Sequence, residues 1–223
     1  GQELDKMPDP QQTIDDDSAV WPALKKYAEL GINTLGADDT GLSPVENARL
    51  SAIIHEEMGW GDAGLAMVMT AQGGGIVTWL ANISGKAELI SRYGGSDLSE
   101  FGCWAITEPD HGSDTLALNQ PTFNDPEITA NCIAVKDGDE YVIRGQKSSW
   151  VSGAPIATVM ALYCTIEGNR GFEGGGIAVV PLNLPGVSKG KPLNKLGQRS
   201  MTQGEVFFDE VRIPADYMIV DQD

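Results

Sequence analysis

Directly after the apolar run Cys103 to Ile106, the chain places Thr107, Glu108, Asp110, His111, Ser113 and Asp114 within eight positions. One of only two histidines stands in this turn. Three chemistries compete for it. Glu108, Asp110, His111 and Asp114 are oxygen and imidazole donors of the kind that hold a divalent metal. A strand ending in Ala-Ile-Thr, stopped by Pro109 and followed by Gly112 and Ser113, offers something different. It presents backbone amides, two hydroxyls and a close glycine approach to a diphosphate or a planar polar edge. The third reading is a capped turn without a ligand, since Asp, His and Gly favour turns on conformational grounds alone. A metal site usually draws on several segments, and His55 stands far away in the sequence. A Ser-His-Asp hydrolase fits poorly, because Ser113 has no nucleophile-elbow setting and His111 is too close to it in sequence.

The elements that position this turn change character at about Gly102. Before it the pattern is helical. Ser18 can cap a helix with Pro22 in its first turns and Gly31 as its C′ residue. Ser43-Pro44 opens a second helix with Glu46 near its positive end, and the element is expected to end near Gly59. A third begins around Asp62, carries Leu65, Val68 and Met69, and continues or restarts after Gly73-Gly74-Gly75 through Ile76, Trp79 and Leu80. A fourth runs from Lys86 to Tyr93. The methionines at 58, 67 and 69 read as core filler.

After Gly102 short β-rich runs alternate with turn signals. Ile133 to Lys136, Asp137-Gly138-Asp139 and Tyr141 to Ile143 form a hairpin pattern, since Asp-Gly accepts the positive φ of such turns. Further runs span 158–166, 176–180 and 205–213. The expected architecture is therefore multi-domain α+β, with a helical domain over 1–102 and an antiparallel β-barrel or sandwich over 103–223.

Composition narrows the function classes. The 223 residues carry a formal charge of −17, which argues against a nucleic-acid surface. Residues 1–102 hold 16 acids against 6 bases and the remainder 16 against 9, so an anionic ligand is better tolerated on the second half. There, Lys189, Lys191, Lys195 and Arg199 make either a local cationic patch or a solvated loop. Cys103, Cys132 and Cys164 are odd in number, widely spaced and set in apolar runs. They predict buried thiols in a reducing compartment and no disulfide framework. No apolar run approaches the roughly 18 residues of a membrane span.

Four ordered stretches carry a resemblance. WAITEPDHGSD resembles the Tyr/Trp-x-x-Thr-Glu-Pro-x-x-Gly-Ser-Asp signature of the acyl-CoA dehydrogenase family of flavoproteins. GQKSSWVSGAPIATVMAL is similar to the family's Gly-x-Lys-x-Trp-Ile-Thr-Asn segment, and PGVSKGKPLNKLGQRSMTQGEVFFDEVRIP to the end of its middle domain. Upstream, ENARLSAIIHEEMGWGDAGLAM resembles its Glu-Glu-Leu-Gly and Gly-Asp-Ala helices. The likeness runs from about residue 18 to 214.

The resemblance implies FAD held between a helical and a β domain, and oxidation of an acyl-CoA thioester across Cα–Cβ with hydride passing to the flavin. It implies Trp104, Ile106 and Thr107 at the flavin, with the Thr107 hydroxyl near its polar edge, and Ser149, Trp150 and Val151 on its flank. Gly112 and Ser113 would face the acyl-CoA. The family's flavin-flanking Trp falls at Ser149, with Trp150 one step later, so either a bulge restores the aromatic or Trp150 packs elsewhere. Val151 stands where the family has Thr. Glu108 reads as structural. The family's base usually lies in a C-terminal helical bundle beyond the stretch matched here, so no catalytic base and no metal ligand is assigned, and these residues alone are expected to be inactive toward acyl-CoA. An electron-transfer flavoprotein as acceptor, a homo-oligomer, and a cytoplasmic or, in a eukaryote, mitochondrial-matrix location are further implications. Two alternatives stay open: a non-catalytic or partner-dependent relative, and a metal-dependent enzyme built on Glu108, Asp110, His111 and Asp114.

Overall fold

The computed structural model describes residues 20–32, 41–69, 75–94 and 100–221. Helix α1 (Val20–Glu29) buries Leu24 and Tyr27 and is closed by Gly31, whose φ of +67° suits a residue without a Cβ. Its expected cap, Ser18, lies outside the described residues. Helix α2 (Pro44–Met67) opens on a full capping box: the Ser43 hydroxyl accepts from the Glu46 N–H, and the Glu46 carboxylate accepts from the Ser43 N–H at 2.9 Å.

One helix ending near Gly59 and another starting at Asp62 was the expectation for α2. Two helices do meet there: the second starts at Asp62, whose φ of −163° and ψ of 110° are non-helical, and the pair runs as one kinked element to Met67. Asp62 still caps the part that follows, its Oδ1 accepting from the Leu65 N–H at 2.7 Å. The kink seats the helix on the loop that precedes β7. Ser200 donates its hydroxyl to the same Asp62 oxygen, and a Cβ on Gly64 would stand 2.5 Å from Ser200 Oγ.

Helix α3 (Gly75–Ser84) buries Val77, Leu80 and Ala81, and α4 (Ala87–Tyr93) buries Leu89 and Tyr93. Residues 70–74, with most of the glycine triplet, are outside the described set. Polar bonds hold α4 to the end of the chain: Tyr217 donates to Glu88 at 2.9 Å, and Lys86 Nζ donates to the Met218 carbonyl at 2.9 Å.

All strands follow Gly102: β1 (Gly102–Ala105), β2 (Ile133–Asp137), β3 (Glu140–Ser152), β4 (Val159–Ile166), β5 (Gly175–Pro181), β6 (Val187–Lys189), β7 (Gln203–Pro214) and β8 (Met218–Val220). They form one sheet in the order β6-β7-β3-β2-β4-β5-β8, with β1 also on β4. The sheet is mostly antiparallel, as expected, but β4 runs parallel to both β1 and β2, and no pairing closes it into a barrel. The predicted hairpin is β2–β3, with Asp137 opposite Glu140 and Gly138 at φ +62°. Strand β3 runs far past Ile143 because β7, more than fifty residues later in sequence, supplies its partner. One apolar cluster spans both kinds of element, from Leu80 and Leu89 on the helices to Cys103, Met160, Leu162 and Ile213 on the strands.

Candidate functional site

Glu108 organises the turn after β1. Its carboxylate is buried and takes three donors: Lys147 Nζ at 2.5 Å, the Cys132 N–H at 3.1 Å, and the Asn131 N–H. Lys147 is equally buried and also donates to the Ile106 carbonyl at 2.9 Å. A buried charge is tolerable only when paired and bonded on its remaining sites, and both ions meet that condition. Gly145, two residues before Lys147, makes the arrangement possible. At φ +116°, a Cβ there would stand 2.9 Å from the Asn131 carbonyl and from Cys132 Cα. The Gly-x-Lys spacing thus lets the 131–132 segment press against β3 while Lys147 reaches under it.

This geometry overturns the metal alternative. Glu108 is consumed by Lys147 and two amides. Asp110 accepts from Asn131 Nδ2 at 2.7 Å, and His111 Nδ1 pairs with Asp114 Oδ2 at 2.8 Å. Each donor has a different partner, and among the described residues no cluster of three or more such side chains could hold a metal ion. Burial raises the Asp114 pKa, but the His111 contact and the Gly112 amide outweigh it and hold the carboxyl below its ordinary value. The turn is therefore capped by its own side chains, with Ser113 left exposed at the head of a short 3-10 turn, 113–116.

The residues expected at a flavin come together from two segments. The Ser148 N–H donates to the Thr107 carbonyl at 3.1 Å, so the end of β1 and the 147–151 stretch of β3 are bonded directly. Between Lys147 and Val151, β3 advances four residues while β7 advances only from Val206 to Gly204. This is a bulge of two extra residues. It takes Trp150 out of the core: the indole is 57% exposed, and the residue's carbonyl accepts from Gln203 Nε2 at 3.1 Å. Trp104 is 42% exposed, its ring 6.1 Å from that of Tyr163. Ile106, Thr107 and Ser149 are half-buried beside them. Val151 differs. Its side chain is buried in the apolar cluster, so only its backbone faces the bulge.

The sequence does not pair Lys147 with Glu108, although both stand in stretches that carry the family resemblance. The lysine's neighbours Gln146, Ser148 and Ser149 are polar, so nothing local in the sequence marks it as buried. The basic patch resolves in the opposite sense. Lys189 donates to the Ala157 carbonyl, Lys195 to the Met201 carbonyl at 2.6 Å, and Arg199 to the Lys195 carbonyl at 2.8 Å. Desolvation lowers the pKa of both lysines. Lys195 and Arg199 thus bond carbonyls of their own loop, and Lys189 ties it to the β3–β4 connection. The three thiols are buried and free, as expected, and desolvation pushes Cys103 and Cys164 up to about 12. Among the described residues no helix is long and apolar enough to cross a membrane.

Residues 103–211 match the family described as "Acyl-CoA dehydrogenase, middle domain". The chain is 32% identical over 217 residues to cyclohex-1-ene-1-carbonyl-CoA dehydrogenase of Geobacter metallireducens, covering 92% of this chain and 51% of that one. It is 28% identical over 210 residues to cyclohexane-1-carbonyl-CoA dehydrogenase of Syntrophus aciditrophicus, with the same two coverages. Among solved structures, a glutaryl-coenzyme A dehydrogenase in complex with glutaryl-CoA superposes with a TM-score of 0.70 at 26% identity, over 91% of this chain and 48% of that chain. The chain spans about half the length of the relatives it matches. Matched segment, relatives and shared architecture agree with the order of motifs along the sequence, and residues 103–211 belong to the acyl-CoA dehydrogenase middle-domain family.

Proposed function

We propose that this chain forms the FAD- and thioester-binding half of an enzyme that oxidises acyl-CoA to the 2,3-enoyl-CoA. The observation that carries the reading is the direct bonding of the two flavin-facing segments, Ser148 N–H to the Thr107 carbonyl and Lys147 Nζ to the Ile106 carbonyl. The donor set fits an isoalloxazine ring: two exposed indoles, the Thr107 and Ser149 hydroxyls, backbone groups, and no uncompensated charge. FAD bound there would supply the hydride acceptor. The chain's own residues hold the ring edge with the Thr107 hydroxyl, flank it at Ser149 and Trp150, and present Gly112 and Ser113 to the pantetheine or phosphates of the substrate. Glu108 cannot serve as base, because its carboxylate is already committed to Lys147. The reading assigns no base among the described glutamates.

The cyclic acyl-CoA relatives support a thioester substrate. An electron-transfer flavoprotein as acceptor and a homo-oligomeric full-length enzyme complete the proposal. Its test is Thr107→Val in the chain reconstituted with FAD. Loss of one ring hydrogen bond should weaken FAD binding by roughly five- to tenfold, read from flavin absorbance at equilibrium. Equal occupancy and an equal flavin potential in the variant would remove Thr107 from the ring site.

A further inference from the structure

Lys147 is a buried ammonium whose bonds go beyond its ion pair. It is 1% exposed, and its partner Glu108 already accepts from the Cys132 and Asn131 N–H groups. An ion pair so deep adds little stability over two apolar side chains of similar volume, which would fill the space without taking charge out of water. What apolar side chains could not do is hold a carbonyl. Lys147 Nζ holds that of Ile106 at 2.9 Å.

The planarity of the peptide gives this bond a consequence. Ile106 C=O and Thr107 N–H belong to one trans unit and point in opposite directions. With the carbonyl turned onto the ammonium, the N–H is turned away from it. The next unit is held too, since the Thr107 carbonyl accepts from the Ser148 N–H at 3.1 Å. Strand β3 therefore grips two successive carbonyls, one through a side chain and one through its backbone. Among the described residues nothing accepts from the Thr107 N–H or its hydroxyl. Thr107 is half-buried, and an N–H withdrawn from water without an acceptor carries a cost. A fixed, unspent donor at the end of β1 suits an acceptor that arrives from outside, and a ring edge bearing carbonyl oxygens is one. Glu108 has the supporting part: it holds Lys147 Nζ at 2.5 Å and neutralises it, so what Thr107 offers is an amide dipole and not a full charge.

We propose that Lys147 is a positioning residue of the ring site: by holding the Ile106 carbonyl it aims the Thr107 N–H at the polar edge of the flavin. The proposal rests on the flavin reading above and adds to it a side chain shut inside the sheet. A donor at that edge favours the reduced ring, which carries more negative charge than the oxidised one, so Lys147 acts on flavin potential as well as on affinity.

The test uses Lys147→Met together with Glu108→Gln, which removes the pair without stranding either charge, in the 223-residue chain reconstituted with FAD. Oxidised FAD should bind about fivefold more weakly than to the wild type. Reduced FAD, which loses a charge-assisted bond, should weaken by a further tenfold or so, a fall of about 30 mV in the flavin potential measured by dye equilibration. Lys147→Arg keeps a donor for the Ile106 carbonyl and should hold the wild-type potential even where it unfolds more readily. A double variant with wild-type affinity and potential would make the pair a structural element only and overturn the proposal, leaving the flavin reading intact. A wild-type chain that binds no FAD would remove the flavin reading and this proposal with it. Should the double variant fail to fold, hydrogen exchange at the wild-type Thr107 amide decides: slowing on addition of FAD is expected, and an unchanged rate overturns the proposal.

Discussion

Strand layer and helix α2 treat their apolar residues in opposite ways. In the sheet, Met160, Ala161 and Leu162 on consecutive positions of β4 are all fully buried, because both faces are covered. Along α2, 24 residues long, only Gly64 and Leu65 are buried, both beyond the kink at Asp62, while Val45, Ile53 and Trp60 face outward. Capping and bonding along α2 are nonetheless in order. The difference separates two sources of stability: local hydrogen bonding, which α2 has on both sides of its kink, and burial, which it gains only where Asp62 turns it onto Ser200. Polar groups follow the same division. The Glu108–Lys147 pair is shut away inside the β half, whereas Arg212 reaches Asp137 at 2.9 Å and Glu140 at 2.8 Å in the open.

The contrast can be broken most severely at the buried pair. Lys147→Met strands the Glu108 carboxylate in the interior and should destabilise the chain by about 3–5 kcal/mol, measured by denaturant unfolding. Removing both charges with Lys147→Met and Glu108→Gln together should recover a large part of that loss. A Lys147→Met variant of wild-type stability would mean that the pair is hydrated and that the sheet interior is not as closed as described.

Thiol reactivity sharpens the same contrast, since all three cysteines belong to the β half. At pH 8 an ordinary thiol, with a pKa of about 8.5, is roughly one quarter thiolate. Cys103 and Cys164, pushed up to about 12 by burial, should react with iodoacetamide about 10³-fold more slowly in the folded chain than after denaturation. Mass spectrometry of timed aliquots reads this directly. Labelling of folded chain at the denatured rate would show that the strands open readily.

The smallest effect is expected on α2. Trp60 is 91% exposed, so Trp60→Ser should change unfolding free energy by no more than about 0.5 kcal/mol in this chain. A loss several times larger would show that the indole packs in solution and that the outward face of α2 is not free.

Short-range patterns were legible in the residues themselves. Asp137-Gly138 announced the β2–β3 turn, Ser43-Pro44 and Glu46 announced the start of α2, and the Thr-Glu-Pro and Gly-x-Lys stretches announced the family. Longer-range facts were not. Glu108 and Lys147 are 39 positions apart, and nothing local requires them to meet. The hairpin pattern marked only Tyr141 to Ile143 of β3, and its continuation to Ser152 rests on pairing with β7.

What the sequence determined alone is whatever a few neighbouring residues enforce through their own dihedral and hydrogen-bonding preferences: caps, turns, the helical first half and the strand-rich second half. What only tertiary structure decided is whatever depends on which segments become neighbours. The bulge that turns Trp150 outward and the carboxylate that is spent on Lys147 rather than on a metal both depend on segments brought together across dozens of residues. Side-chain direction in a sheet reverses with a single step of register, so pairing across the sheet, more than composition, settles which groups face the site.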